Sequence, residues 1–150
     1  MYTRSKLSNF TDKSTNCKLC NAFGEVKHED IFHVFVECRR MGNFWERIEN
    51  VFHKFDPTLT LSNENKLFGL IGPKGNKYYM YANIVIQTAQ RAIWYSRRCY
   101  EENDLGVDLW DSISRKIQTL ISRAYEIQET HRFYEIFDLS FFDDFLNRSD

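Results

Sequence analysis

Only 2 prolines and 6 glycines interrupt the 150 residues. Few turns are therefore enforced, and long helices are easier to build than a many-stranded sandwich. No apolar run approaches the roughly 20 residues of a membrane span, and Met1 to Phe10 lacks the apolar core of a secretory signal. These absences lead to the expectation of an intracellular protein, in the nucleus or cytoplasm, without a membrane partner. An excess of one charge is also missing. The formal net charge is -1, so no protein-wide positive field argues for nucleic acid. Cysteine is scarce, at 4 residues. In a reducing compartment a close pair of them reads as metal ligands before it reads as a disulfide.

What remains is apolar and aromatic. Hydrophobic residues make up 43% and aromatics 16% of the chain, too much for a disordered segment. The length suits a single domain with a real core. Charge is unevenly spread. Residues 1–54 hold 9 Lys/Arg against 7 Asp/Glu, and residues 55–102 hold 6 against 4. Residues 103–150 hold 5 against 10. The front two-thirds is mildly basic and the tail acidic, as a nucleic-acid face opposed to a solvated face would be, although such asymmetry also arises without a function.

Periodicity predicts a mostly α protein: a small zinc-knuckle module with its following helix over 1–54, then a helical region over 55–150 packed with it as one domain. A helix is expected from Arg39 to Phe55, where Phe44, Trp45, Ile48, Val51, Phe52 and Phe55 line one face. Asp56-Pro57 ends it. A connector over 57–76 carries the apolar patch Leu67 to Ile71 and a Gly-Pro turn. A long helix from Lys77 to Glu102 would bury the heptad-like stripe Tyr81, Val85, Thr88, Ala92, Tyr95 and Cys99, so Cys99 reads as a core residue. Asp108 caps a further helix reaching Gln128, with Leu109, Ile113, Ile117, Leu120, Ile121 and Ala124 inward. A last helix, Thr130 to Leu146, would bury Phe133, Ile136, Phe137, Phe141 and Phe145. The short loops suggest a bundle of about four helices.

Cys17 and Cys20 form a C-x2-C pair, which lets one turn present both sulfurs to one ion. His33 and Cys38 complete C-x2-C-x12-H-x4-C, a Cys3His set able to close a tetrahedral zinc site. His28 is a rival ligand that the spacing disfavours. Val34 and Phe35 would pack beneath the ion. Four protein ligands leave no open position for water, so such a zinc stabilises the fold without performing chemistry.

Cys17-Lys-Leu-Cys20, Glu29 four residues before His33, His33-Val-Phe35-Val-Glu-Cys38, and Trp45 seven residues further on together resemble the zinc-binding (CCHC) domain at the C-terminal end of non-LTR retrotransposon reverse transcriptases. Leu67-Phe68-Gly69 and the helix through Asn83, Ile84, Ala89 and Trp94 are similar, less specifically, to the helical region after that module. The Cys20-to-His33 gap is longer than the family's pattern. The resemblance implies a structural zinc and a role in holding RNA or target DNA near a polymerase during target-primed reverse transcription, with the remainder of the reverse transcriptase as a partner. Lys18, Lys27, Arg39 and Arg40 beside the metal are the candidate phosphate contacts, Arg91, Arg97 and Arg98 secondary ones, and Phe23 a base-stacking candidate. The same charges would also suit a plain solvated face.

Phe141-Phe142-Asp143-Asp144 mimics the catalytic F/Y-x-D-D box of a polymerase. The real box needs flanking strands to hold Mg²⁺ and lies upstream of the zinc module, and here it falls on a helical pattern. No enzyme activity is expected. The competing function is a zinc-stabilised protein-interaction module, for which the acidic tail and the many aromatics argue. A cysteine–histidine nucleophile is disfavoured because the metal would consume its thiols.

Overall fold

The computed structural model describes residues 15–103, 106, 108–130 and 139–146. The order of elements is α1 (Lys18–Asn21), a π-helical turn (His33–Glu37), a 3-10 turn (Arg39–Met41), α2 (Phe44–His53), α3 (Asn63–Phe68), α4 (Lys77–Asn103), α5 (Leu109–Thr130), a second 3-10 turn (Leu139–Phe142) and α6 (Asp143–Leu146). Among the described residues there is no strand, only an isolated antiparallel bridge between Asn16 and His28. The fold is thus a small Cys/His-bearing head followed by packed helices. No helix in the described residues is long and apolar enough to cross a membrane.

One apolar core runs from Cys17 and Leu19 in the head, through Phe44, Ile48 and Phe52 of α2, to Ile113, Ile117, Phe141 and Phe145. Phe141 is fully buried and stacks on Phe52 at 5.6 Å and Tyr78 at 6.0 Å, while Phe145 stacks on Trp110 at 5.2 Å. Such pairs add to simple area burial. Phe141 to Asp144 therefore passes from a 3-10 turn into α6 as a core anchor, with Asp144 ion-paired to Lys54. The sequence placed these residues in one helix from Thr130. Its beginning, with Phe133, Ile136 and Phe137, lies outside the described residues, as does the side chain of Ala124.

Four other expectations are corrected. The helix predicted from Arg39 starts at Phe44, because Gly42 turns the chain at φ +48°, a region that favours glycine. The connector contains α3, opened by a reciprocal pair: the Ser62 side chain accepts from the Asn65 amide while the Asn65 side chain accepts from that of Ser62. The stripe on α4 starts as expected at Tyr81, Val85, Thr88 and Ala92 but then drifts. Tyr95 is 52% exposed and Cys99 only half-buried, outside the core. A straight helix falls about 20° short of two full turns per heptad, so the seven-residue stripe slips off a buried face that also holds Ala82, Ile86, Ala89, Ile93, Ser96 and Arg97. Leu120 on α5 is likewise exposed.

The middle of the chain is tied to α4 by side-chain amides. Asn83 accepts from the Leu70 amide at 2.6 Å and donates to its carbonyl at 2.9 Å. Gln90 donates to the carbonyls of Lys66 and Leu67, which α3 leaves without helical partners.

Candidate metal centre

The head is built by local hydrogen bonds. The Cys17 amide donates to Lys27 O at 2.8 Å, and the Glu29 amide to Thr15 O at 2.8 Å, so the two arms flanking the Asn16–His28 bridge are zipped together. Between them Cys17 caps the start of α1, and the Phe23 and Glu25 amides both donate to Cys20 O. Gly24, at φ +77°, makes this tight return possible.

His33 and Cys38 need a different device. Five residues apart on an α-helix they would lie about 140° from each other around the axis. The chain instead closes a π turn, in which the Cys38 amide donates to His33 O at 2.7 Å. This i to i+5 bond returns Cys38 to the side of His33. The Asp30 carboxylate accepts from the His33 amide at 2.7 Å and starts the turn. The Trp45 indole donates to Phe35 O at 2.7 Å and holds the turn from α2.

The result is one buried group of four ligand atoms, from Cys17, Cys20, His33 and Cys38, all within 4.8 Å of one another. The side chains are at most 4% exposed. Cys17 Sγ lies 3.9 Å from Cys38 Sγ, Cys20 Sγ lies 3.8 Å from Cys38 Sγ, and Cys20 Sγ lies 3.4 Å from His33 Nε2. The sulfurs are too far apart for a disulfide. Such a set can hold a metal ion, and three thiol ligands favour a soft or borderline ion over Mg²⁺ or Ca²⁺. His28 is exposed and outside the group. Val34 and Phe35 are buried in the turn between the two later ligands.

Donors that favour thiolate surround the sulfurs. Backbone amides of Cys20, Arg39 and Arg40 bond to Cys17, Cys20 and Cys38 respectively. The Cys17 thiol is pulled well down, chiefly by its hydrogen bond with Cys38 and further by the Cys20 amide and the Arg97 guanidinium, against the opposing effect of burial. Cys38 is pushed up by the same bond to Cys17 and then by burial, and Cys20 is pushed up by burial.

The candidate nucleic-acid contacts fall into two groups. Lys18 and Arg40, both half-buried, lie over the Tyr100 ring at 5.7 and 5.8 Å from its centroid. Arg39 is exposed, paired with Glu25 at 2.5 Å, and its guanidinium lies 4.9 Å from the centroid of the exposed Phe23 ring. Lys27 is exposed. Arg40 also lines a hollow of about 300 Å³ with Arg47 and Trp110, and Arg47 lies 4.0 Å over the Trp110 ring. Tyr100, Arg47 and Trp110 were missed by sequence reasoning, because their nearness to the head follows only from how α4 and α5 pack on it. Arg91 and Arg98 are exposed on α4. Arg97 is corrected: it is 3% exposed, ion-paired with the buried Glu29, and 3.8 Å from Cys17 Sγ. It faces the Cys/His group and not a solvent-borne partner.

Comparison with known proteins finds no matching family model, no matching curated protein and no matching solved structure.

Proposed function

We propose that this chain is a non-catalytic, zinc-binding and nucleic-acid-binding accessory module of a reverse transcriptase of the non-LTR retrotransposon type, helping to hold RNA or target DNA. The spacing of the four ligand atoms carries the zinc reading. Zinc bonds of about 2.3 Å to sulfur and about 2.0–2.1 Å to nitrogen, arranged as a tetrahedron, give edges of about 3.8 Å between sulfurs and about 3.5 Å between sulfur and nitrogen. Three of the six separations, 3.8, 3.9 and 3.4 Å, match those edges. Four protein ligands fill the tetrahedron, so the ion would be structural.

Lys18, Arg39, Arg40 and Arg47, each with its charge over an aromatic ring, support the nucleic-acid reading. Cations follow phosphates while aromatic faces accept bases, in a largely sequence-tolerant way. The motif resemblance supports the reverse-transcriptase context. Metal analysis of the purified protein, followed by titration with single-stranded RNA and DNA at several salt concentrations, tests the proposal. One zinc per chain and salt-sensitive binding are expected; absence of metal, or of binding at low salt, overturns the corresponding half.

A second reading, a zinc-stabilised protein-interaction module, is favoured by the exposed apolar side chains of Phe68 and Ile71, at 84% and 99%. Failure to bind either nucleic acid would make it the better one.

A further inference from the structure

Arg97 and Glu29 are both almost fully buried, and a buried charged pair is a poor source of stability in itself. The pair has a third member. One arm of the Arg97 guanidinium faces the Glu29 carboxylate while Nη1 lies 3.8 Å from Cys17 Sγ, 80 residues away in sequence. Glu29 sits on the arm of the head next to the ligands, its amide fixed by Thr15 O. Arg97 projects from α4 one turn beyond the buried Ile93. A carboxylate that fixes one edge of the guanidinium aims the other at the sulfur.

A sulfur accepts strongly only as a thiolate, the form in which it binds metal. A divalent ion with three thiolates and a neutral imidazole carries one negative charge, and these four ligand side chains would bury it. A fixed cation beside Cys17 offsets that charge. We infer that Arg97, oriented by Glu29, is a positioning residue of the metal centre, and that through it the ion governs the seating of α4 on the head as well as the folding of the head itself. This rests on the zinc reading above. Partners that hydrogen-bond to metal ligands in this manner typically change affinity by 10–100-fold.

The test uses the full chain with Co²⁺ as a spectroscopic probe, and chelator competition for Zn²⁺ affinity. Arg97→Gln should weaken metal binding by about 10–100-fold and move the thiolate-to-cobalt absorption band to lower energy, since the sulfur lone pairs lose a donor. Arg97→Lys should fall between it and the parent. Metal removal should raise amide exchange in residues 93–100 of the parent. The double variant Glu29→Gln/Arg97→Gln separates this role from that of a plain structural pair, and serves if the single variant does not fold. Removing both buried charges should recover stability but leave metal affinity low and the band shifted. Parent-like affinity and band position in the double variant overturn the inference. A parent that takes up no metal overturns the zinc reading instead.

Discussion

The indole N–H of Trp45 donates to the backbone carbonyl of Phe35 at 2.7 Å, fastening α2 to the turn that carries His33 and Cys38. Both residues are about 5% exposed, so no water replaces the donor. Trp45→Phe would leave the carbonyl unsatisfied, at a cost of about 1–3 kcal/mol, and would loosen the turn. Denaturant unfolding of the metal-loaded protein should show that loss, together with weaker metal retention. Unchanged stability and retention would mean that the turn holds itself.

The ligand set makes a sharp distinction between two histidines. His33→Ala removes one vertex of the buried group and should reduce zinc content to well below one per chain. His28→Ala removes an exposed side chain whose backbone alone bridges to Asn16, and should leave zinc content unchanged. The reverse pattern in metal analysis would sink the assignment.

Acidity should strip the metal steeply. In the ion-free cluster Cys17 is already held down by its bond with Cys38, whereas Cys38 is held up by that bond and by burial, and Cys20 by burial. Metal must displace the protons of the latter two. Affinity should therefore rise with pH and fall as pH drops, by roughly 100-fold per unit while about two protons are released. Chelator competition at several pH values measures the slope. A slope near zero would contradict a thiolate site.

For nucleic acid, replacing Arg39 and Arg40 together by Gln should lower affinity and flatten the salt dependence, each lost phosphate contact removing roughly 0.7–0.9 from the slope of log affinity against log salt. The metal should stay bound, because the cluster uses the backbone amides of these two residues and not their side chains. Filter binding with RNA and single-stranded DNA, across a salt series, gives the result. Parent-like affinity and slope would exclude this surface.

The chemistry of the candidate site could be read directly from the sequence. A C-x2-C pair and a later H-x4-C specify thiol and imidazole ligands wherever the chain goes, and spacing alone preferred His33 to His28. Local signals also marked α2, α4 and α5, because an amphipathic period survives any packing arrangement. Short-range geometry was less visible. The π turn at His33–Glu37 and the break at Gly42 depend on a few backbone angles that periodicity does not encode.

Which charges meet the Cys/His group, and which meet solvent, was decided by tertiary structure alone. Arg97 and Arg98 are adjacent in sequence, yet one is buried against Glu29 and Cys17 and the other is exposed. The difference is the step of about 100° that one residue makes around the helix axis, which turns one position toward the head and its neighbour away once α4 is seated. The sequence by itself determined the ligand types, the helical periods and the aromatic content of the core. The seating of α4 determined that a cation lies beside Cys17 and that Tyr100 lies beneath Lys18 and Arg40, because contacts between residues 60 to 82 positions apart form only when the core closes.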